Sequence, residues 1–285
     1  MNLPASPYYT ERKHRSYRDR FTIIWMATRR CNFDCAYCYG TKEPDEKFDV
    51  DEFVECLRTK FPQPIRLCVT GGEPLLFPWM VELCQKVGAI GGTIEMQTNF
   101  SLNAREFIDN TSPDYIEIIE TSYHPRARER WNENGCAKFI QDFHYAQSKG
   151  FNITTWMIDD PRIPPETFLK DCRMLHDCGI TPMRKRYCGE ECGTHIGDAI
   201  YVEGKVCLAG YGGANLWENF DVTVCDHDRT VLGNLFGEMN LKTSPEPCAM
   251  RFCGCLGREW LVDKFHDDYY NRDFGGAYEP DLCSG

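Results

Sequence analysis

Cys31, Cys35 and Cys38 lie in the segment CNFDCAYC, a C-x3-C-x2-C spacing confined to one predicted loop. Three thiolates so placed can hold an iron-sulfur cubane by three corners and leave the fourth iron open to bind and activate a second molecule. The same logic keeps one position vacant in a catalytic zinc site. A zinc site or three unrelated buried thiols would use the same residue type, so the surroundings of the triad must decide. A second group, Cys207, Cys225, Cys248, Cys253 and Cys255, falls between residues 199 and 255. Four thiolates there suit either another 4Fe-4S cluster or a structural zinc knot. Five candidates for four positions leave one spare, and Cys253 and Cys255 compete most directly.

The chain carries 17 cysteines in 285 residues, with a formal net charge of -11 and a hydrophobic content of 42%. A cytoplasmic location is expected. The longest strongly apolar stretch near the start, Phe21 to Ala27, is far too short to cross a bilayer, and its flanks lack a signal-cleavage pattern. Structural disulfides are rare in that compartment, which makes metal or cluster ligation the leading use of so many thiols. The acidic balance argues against a broad phosphate-binding surface. Neither nucleic acid nor membrane is therefore an expected partner.

Elements that could position the triad follow from periodicity. Short β-branched or aromatic runs at 22–28, 65–70, 92–98, 115–121, 151–158 and 180–186 read as strands. Helix-length amphipathic segments fit between them at about 50–60, 78–88, 103–109, 135–148 and 165–178, with Asp51, Asn103 and Pro164 or Pro165 near their starts. Repeated βα units predict an α/β fold with a parallel sheet. After Cys188 glycine becomes frequent and helical periodicity fades, marking a small cysteine-rich C-terminal module in which Glu203-Gly204 reads as a hairpin turn. The expected division is an arm over 1–19, a βα core over 20–188, the module over 189–265 and a polar tail over 266–285, loosely ordered or lid-like. No leader-recognition domain is expected in the short polar arm before residue 20.

The triad directly follows the first predicted strand. The second runs into Gly71-Gly72-Glu73-Pro74, the third ends in Gln97-Thr98-Asn99 and the fourth in Glu120-Thr121-Ser122. Ligands of α/β folds gather outside the carboxyl ends of parallel strands, so these polar endings are expected to converge on one site. With Tyr37 just before the third cysteine and GGEP at the next strand end, the sequence resembles the radical S-adenosylmethionine (SAM) superfamily. The resemblance implies a partial (βα)6 TIM-type barrel. It also implies a 4Fe-4S cluster on Cys31, Cys35 and Cys38 whose open iron chelates SAM, and reductive cleavage to a 5'-deoxyadenosyl radical. Tyr37, Gly71, Gly72, Glu73, Asn99 and Ser122 are the SAM-facing residues so implied.

The phrases AIYVEGKVCLAGYGG, NFDVTVCDHDRTVLGNL and PCAMRFCGC resemble the twitch or SPASM extension of that superfamily, where a hairpin and a cysteine-rich loop hold an auxiliary 4Fe-4S cluster. Seventeen residues separate Cys207 from Cys225 and the closing segment is short, so one auxiliary cluster fits better than two. Cys188 and Cys192, in RYCGEECG at the expected mouth of the site, are candidate hydrogen-atom donors, with spare thiols or further ligands as the alternative. The expected activity is hydrogen abstraction from a substrate peptide, giving crosslinking, epimerisation or oxidation, with a sugar or other small metabolite as the alternative. A flavodoxin or ferredoxin is the implied electron donor. A noncatalytic zinc or iron-sulfur carrier or scaffold is the reading from another class, and it must treat GGEP and the open triad as coincidence.

Overall fold

Six runs rich in β-branched and aliphatic residues, separated by helices with one apolar face, form parallel strands in chain order. They are β1 (Phe21–Thr28), β2 (Ile65–Gly71), β3 (Thr93–Thr98), β4 (Ile116–Tyr123), β5 (Ile153–Asp159) and β6 (Met183–Arg186). This computed structural model describes residues 20–36, 38, 47–160, 162–186 and 200–253, with the backbone alone at 185, 186, 200, 201, 252 and 253. Tyr37, Cys188, Cys192, Cys255, the N-terminal arm and the C-terminal tail lie outside the described residues.

The connecting helices are α1 (Val50–Lys60), α2 (Met80–Ala89), α3 (Ala104–Asn110), α4 (Pro125–Trp131), α5 (Gly135–Ser148) and α6 (Pro165–Asp177). Helix α1 starts two residues before Asp51 would place its cap, because the Asp49 carboxylate accepts the Glu52 N–H at 2.9 Å. Acidic Asp51 and Glu52 then occupy the first turn and Arg58 and Lys60 the last, complementing the helix dipole. Helix α4 has no counterpart in the sequence expectation. Its sequence PRARERW has no apolar stripe, and one of the two residues it buries is an arginine, Arg128.

One face of the sheet packs on these helices. Ile23, Trp25, Leu67, Val69, Ile94, Met96, Ile119, Ile153 and Met157 join Phe53, Leu57, Leu83, Phe107, Phe139 and Leu175 in a continuous core. Each such side chain contributes about 1.5–3 kcal/mol on burial, which holds the strand order in place. Successive strands with helices on one face make a partial (βα)6 barrel, as expected. The opposite face is more polar. A buried Arg66–Glu95 ion pair crosses from β2 to β3, and Glu117 pairs with Arg20 at 3.1 Å. Among the described residues no helix is long and apolar enough to cross a membrane.

Past β6 the chain forms β7 (Ile200–Tyr201), β8 (Val206–Cys207), β9 (Gly213–Leu216), β10 (Asp221–Thr223), β11 (Val231–Asn234), β12 (Glu246–Pro247) and β13 (Phe252–Cys253). Strand β9 lies parallel to β1, with Thr22 opposite Gly213 and Trp25 opposite Leu216, and β10 and β11 follow antiparallel. The sheet therefore has nine strands, in the order β11-β10-β9-β1-β2-β3-β4-β5-β6. The Glu203-Gly204 turn forms, with the Lys205 N–H donating to the Val202 carbonyl at 2.9 Å. Its flanking strands do not pair with each other, since β7 pairs with β13 and β8 with β12.

Candidate active site

The carboxyl end of β2 meets the start of the cysteine loop backbone to backbone. The Gly72 N–H donates to the Thr28 carbonyl at 2.7 Å, and the Glu73 N–H to the Arg30 carbonyl at 2.8 Å. A Cβ on Gly71 would lie 2.2 Å from the Thr28 oxygen, and one on Gly72 would lie 2.0 Å from the Arg30 oxygen. Gly71 also has φ +131°, a backbone conformation that side-chain-bearing residues rarely adopt. The family resemblance implies that these glycines face SAM. In the structure their missing side chains also seat the loop that carries Cys31.

Glu73 is fully buried. Its carboxylate accepts the Thr98 hydroxyl at 2.6 Å, the Asn99 N–H at 2.6 Å and the Leu75 N–H at 2.9 Å. Burial pushes its pKa up, and the three donors, with Arg128 beyond them, pull it back. Asn99 is thereby tied at both ends of its backbone, because its carbonyl accepts from Arg128 Nη2. Its side-chain amide donates to Asn32 Oδ1 at 2.9 Å and to Cys31 Sγ at 3.7 Å. The residue predicted at the end of β3 thus reaches a cysteine of the triad.

The Cys31 sulfur also accepts the Phe33 N–H at 3.4 Å, and the Cys38 N–H closes a turn on the Cys35 carbonyl at 2.9 Å. Cys31 and Cys35 are half-buried and Cys38 is exposed. Burial raises the Cys31 thiol above its ordinary range; the Phe33 N–H opposes that, while Glu73 and Cys38 add to it. N–H groups aimed at sulfur stabilise thiolate and tune a bound cluster, so the donor set suits an iron-sulfur group. Among the described residues no three His, Cys, Asp or Glu side chains already stand at metal-ligating separations.

Beside the triad a polar row crosses the sheet face that turns away from the helices. The Thr70 hydroxyl donates to Gln97 Oε1 at 2.8 Å, and Gln97 Nε2 to Glu120 Oε2 at 3.3 Å. In the β4–β5 register Glu120 stands opposite Thr154 and Ser122 opposite Trp156, so strand alternation puts all four on this face. Trp156 Nε1 is buried with no hydrogen-bond partner among the described residues. The Ser122 carbonyl accepts from Arg128 Nη2 at 3.3 Å. Sequence reasoning missed Arg128, since an arginine in an Arg-rich segment reads as solvated, and only its burial distinguishes it.

On the other side of β1, Ile24 and Cys68 pack against Ala209, Val224 and Cys225, with Cys207 and Leu208 alongside. Cys68, on β2, therefore meets the module. The Cys225 sulfur accepts the Asp228 N–H at 3.1 Å and the Cys207 sulfur the Ala209 N–H at 3.4 Å, the pattern seen at Cys31. The Cys248 N–H donates to the Lys205 carbonyl at 2.8 Å, two residues past the β12 position that pairs with Cys207. Cys253 is placed by its backbone on β13, opposite Ile200. Arg29, at the head of the cysteine loop, pairs with Glu218 of the module at 2.6 Å.

Comparison with known proteins gives three findings. The sequence profile of the Radical SAM superfamily matches residues 25–181, more than half of the chain. No protein of curated function matches the sequence. Among solved structures, Streptococcus suis SuiB bound to S-adenosylmethionine is similar with TM-score 0.56 and 13% identity over 77% of this chain. This chain spans 64% of the length of that SuiB chain. SuiB bound to precursor peptide SuiA is similar over 90% of this chain and 67% of its own, with the same TM-score and identity. Native anSMEcpe with bound AdoMet has TM-score 0.54 and 13% identity, covering 76% of this chain and 78% of that one.

Proposed function

The chain belongs to the radical SAM superfamily, and on that premise we propose that Cys31, Cys35 and Cys38 hold its 4Fe-4S cluster and that the enzyme abstracts a hydrogen atom from a peptide. When bound, the cluster and SAM supply reductive cleavage to a 5'-deoxyadenosyl radical, and the protein's own task is to bind, orient and exclude water. The Gly72 N–H holds the loop at Thr28, and the carbonyls of the Gly71-Gly72 pair are the acceptors proposed for the SAM amino group. Glu73, sealed from solvent by three donors, acts on SAM through Asn99 and the loop rather than by contact. Tyr37, Asn99 and Ser122 complete the proposed SAM-facing set.

The module, read as residues 189–265 beside a barrel of 20–188, would hold one auxiliary cluster on four of Cys207, Cys225, Cys248, Cys253 and Cys255. N–H donors on the Cys207 and Cys225 sulfurs support that role. Such a cluster would pass an electron out of the substrate radical, while a flavodoxin or ferredoxin supplies the first electron. Cys188 and Cys192 remain the proposed hydrogen-atom donors where the product is an epimer.

The peptide reading is carried by one observation: the fold follows SuiB in its complex with precursor peptide SuiA over 90% of this chain. The structure of anSMEcpe with AdoMet and the Cp18Cys peptide is similar in the same way, with TM-score 0.51 and 12% identity. The inner-face row also suits a main chain, with polar groups on three neighbouring strands: Gln97 on β3, Glu120 on β4 and Trp156 on β5. The test is 5'-deoxyadenosine release by the reduced, reconstituted enzyme with candidate precursor peptides against nucleoside sugars. Peptide-stimulated release is expected, and stimulation by a sugar alone would overturn the peptide assignment.

A further inference from the structure

Arg128 is 1% exposed, yet among the described residues no carboxylate forms an ion pair with it. Its Nη2 donates to two carbonyls, those of Asn99 and Ser122, and its Nε is buried without a hydrogen-bond partner. Three aromatic rings enclose the guanidinium: its carbon lies 4.2 Å from the centre of Phe139, 5.4 Å from Tyr123 and 5.6 Å from Phe33. Burial lowers its pKa to about 10, so it is protonated at neutral pH. A buried cation with only carbonyls and ring faces around it is undercompensated. Some nearby negative charge has to complete the site.

Two sources of negative charge are near. Glu73 lies across the Asn99 peptide, holding its N–H while Arg128 holds its carbonyl. The other is the cysteine loop itself, because Phe33, which caps the guanidinium, sits between Cys31 and Cys35, and Cys35 acts electrostatically on Arg128. A 4Fe-4S core held by three thiolates bears net negative charge, and one added electron makes it more negative. A fixed cation in a low-dielectric wall beside it therefore favours the reduced form.

We propose that Arg128 is a positioning residue that raises the reduction potential of the cluster on Cys31, Cys35 and Cys38, acting through its buried charge and through its hold on Asn99. The inference rests on the reading that the triad holds that cluster. Arg128 itself touches neither SAM nor substrate, since it is closed off beneath the loop. It lets a moderately strong one-electron donor of the flavodoxin or ferredoxin class populate the reduced state.

The test compares the reconstituted full chain with Arg128→Met and Arg128→Lys, without SAM, by iron and sulfide content and by an EPR-monitored redox titration. The step read is one electron from the titrant, with no bond made and no proton moved. Arg128→Met is expected to leave at least tenfold less cluster reduced at a fixed donor potential, a shift of about 59 mV or more for one electron. Arg128→Lys, which keeps the charge, is expected to recover most of that shift. The same Met change in a chain lacking Cys31, Cys35 and Cys38 should leave the remaining cluster's potential where it was.

An unshifted potential in Arg128→Met would overturn the proposal, as would equal shifts in the Met and Lys variants, which would mark a packing role without charge. Should Arg128→Met fail to take up iron, the neutral but polar Arg128→Gln decides: a tenfold loss of reduced cluster supports the proposal, and an unshifted potential sinks it. Iron content that does not fall when the three cysteines are removed would instead refute the cluster assignment on which the inference rests.

Discussion

At the barrel's carboxyl edge the cysteine loop rests on a scaffold held by ordinary folding forces, whereas in the module Cys207 and Cys253 stand on two-residue strands and Cys225 and Cys248 just past strands of three and two residues. Beneath Cys31 lie buried Glu73, which accepts from both Thr98 and Asn99, and Arg128, which donates to the Asn99 carbonyl, and behind them the helix-covered core of β1 to β5. Around Cys207 and Cys225 the apolar support is a small cluster with Ile24, Cys68, Ala209 and Val224. A core that small stabilises little by itself, and such modules draw the remainder from metal binding or from docking on a larger body. One site is preorganised by packing; the other depends on β9 lying along β1 and on whatever its thiolates bind.

The sharpest way to break that contrast is to remove each set of thiolates. Replacing Cys31, Cys35 and Cys38 by Ala is expected to abolish SAM cleavage and lower iron from about eight to about four per chain, counted as four-iron cubanes, with the thermal transition almost unmoved. Iron measured beside a calorimetric scan checks it. A large fall in Tm would show that the barrel edge, too, depends on its metal.

Ile24→Ala works at the junction of the two regions. Truncating a buried isoleucine costs about 2–5 kcal/mol, and the loss should appear first as faster hydrogen exchange in β9 and β10. Exchange that rises evenly across β1 to β6 instead would mean that the module and barrel unfold as one unit. A smaller effect is expected from Gly72→Ala, whose new Cβ would strike the Arg30 carbonyl. Overpacking of this kind costs about 1–3 kcal/mol, and here it should also loosen iron retention at the triad while sparing the module's metal. Iron lost equally from both sites would contradict the local role given to the glycine.

Much of the barrel was legible because its signals are local. The strands expected at 22–28 and 65–70 appear at Phe21–Thr28 and Ile65–Gly71, and the helices expected at 135–148 and 165–178 appear at Gly135–Ser148 and Pro165–Asp177. Helix α4 escaped because seven residues without an apolar stripe carry no period to detect. Within the site, the triad and the polar strand ends could be picked out by type and spacing. The partners of those residues could not: hydrogen bonds from Asn99 to Cys31 and Asn32 join positions 68 and 67 residues apart.

By itself the sequence determined the α/β class, the cysteine spacing, the glycine pair and the order in which polar residues arrive at strand ends, since these follow from chain geometry within one element or one turn. Only the tertiary structure decided that the Gly71-Gly72 pair seats the loop, that Glu73 is sealed behind Asn99, that Cys68 meets the module and that β9 extends the barrel sheet. It alone decided that Arg128 is buried. Burial and pairing are properties of what a residue is packed against. A guanidinium on a short charged helix looks the same in sequence whether it meets water or three aromatic rings.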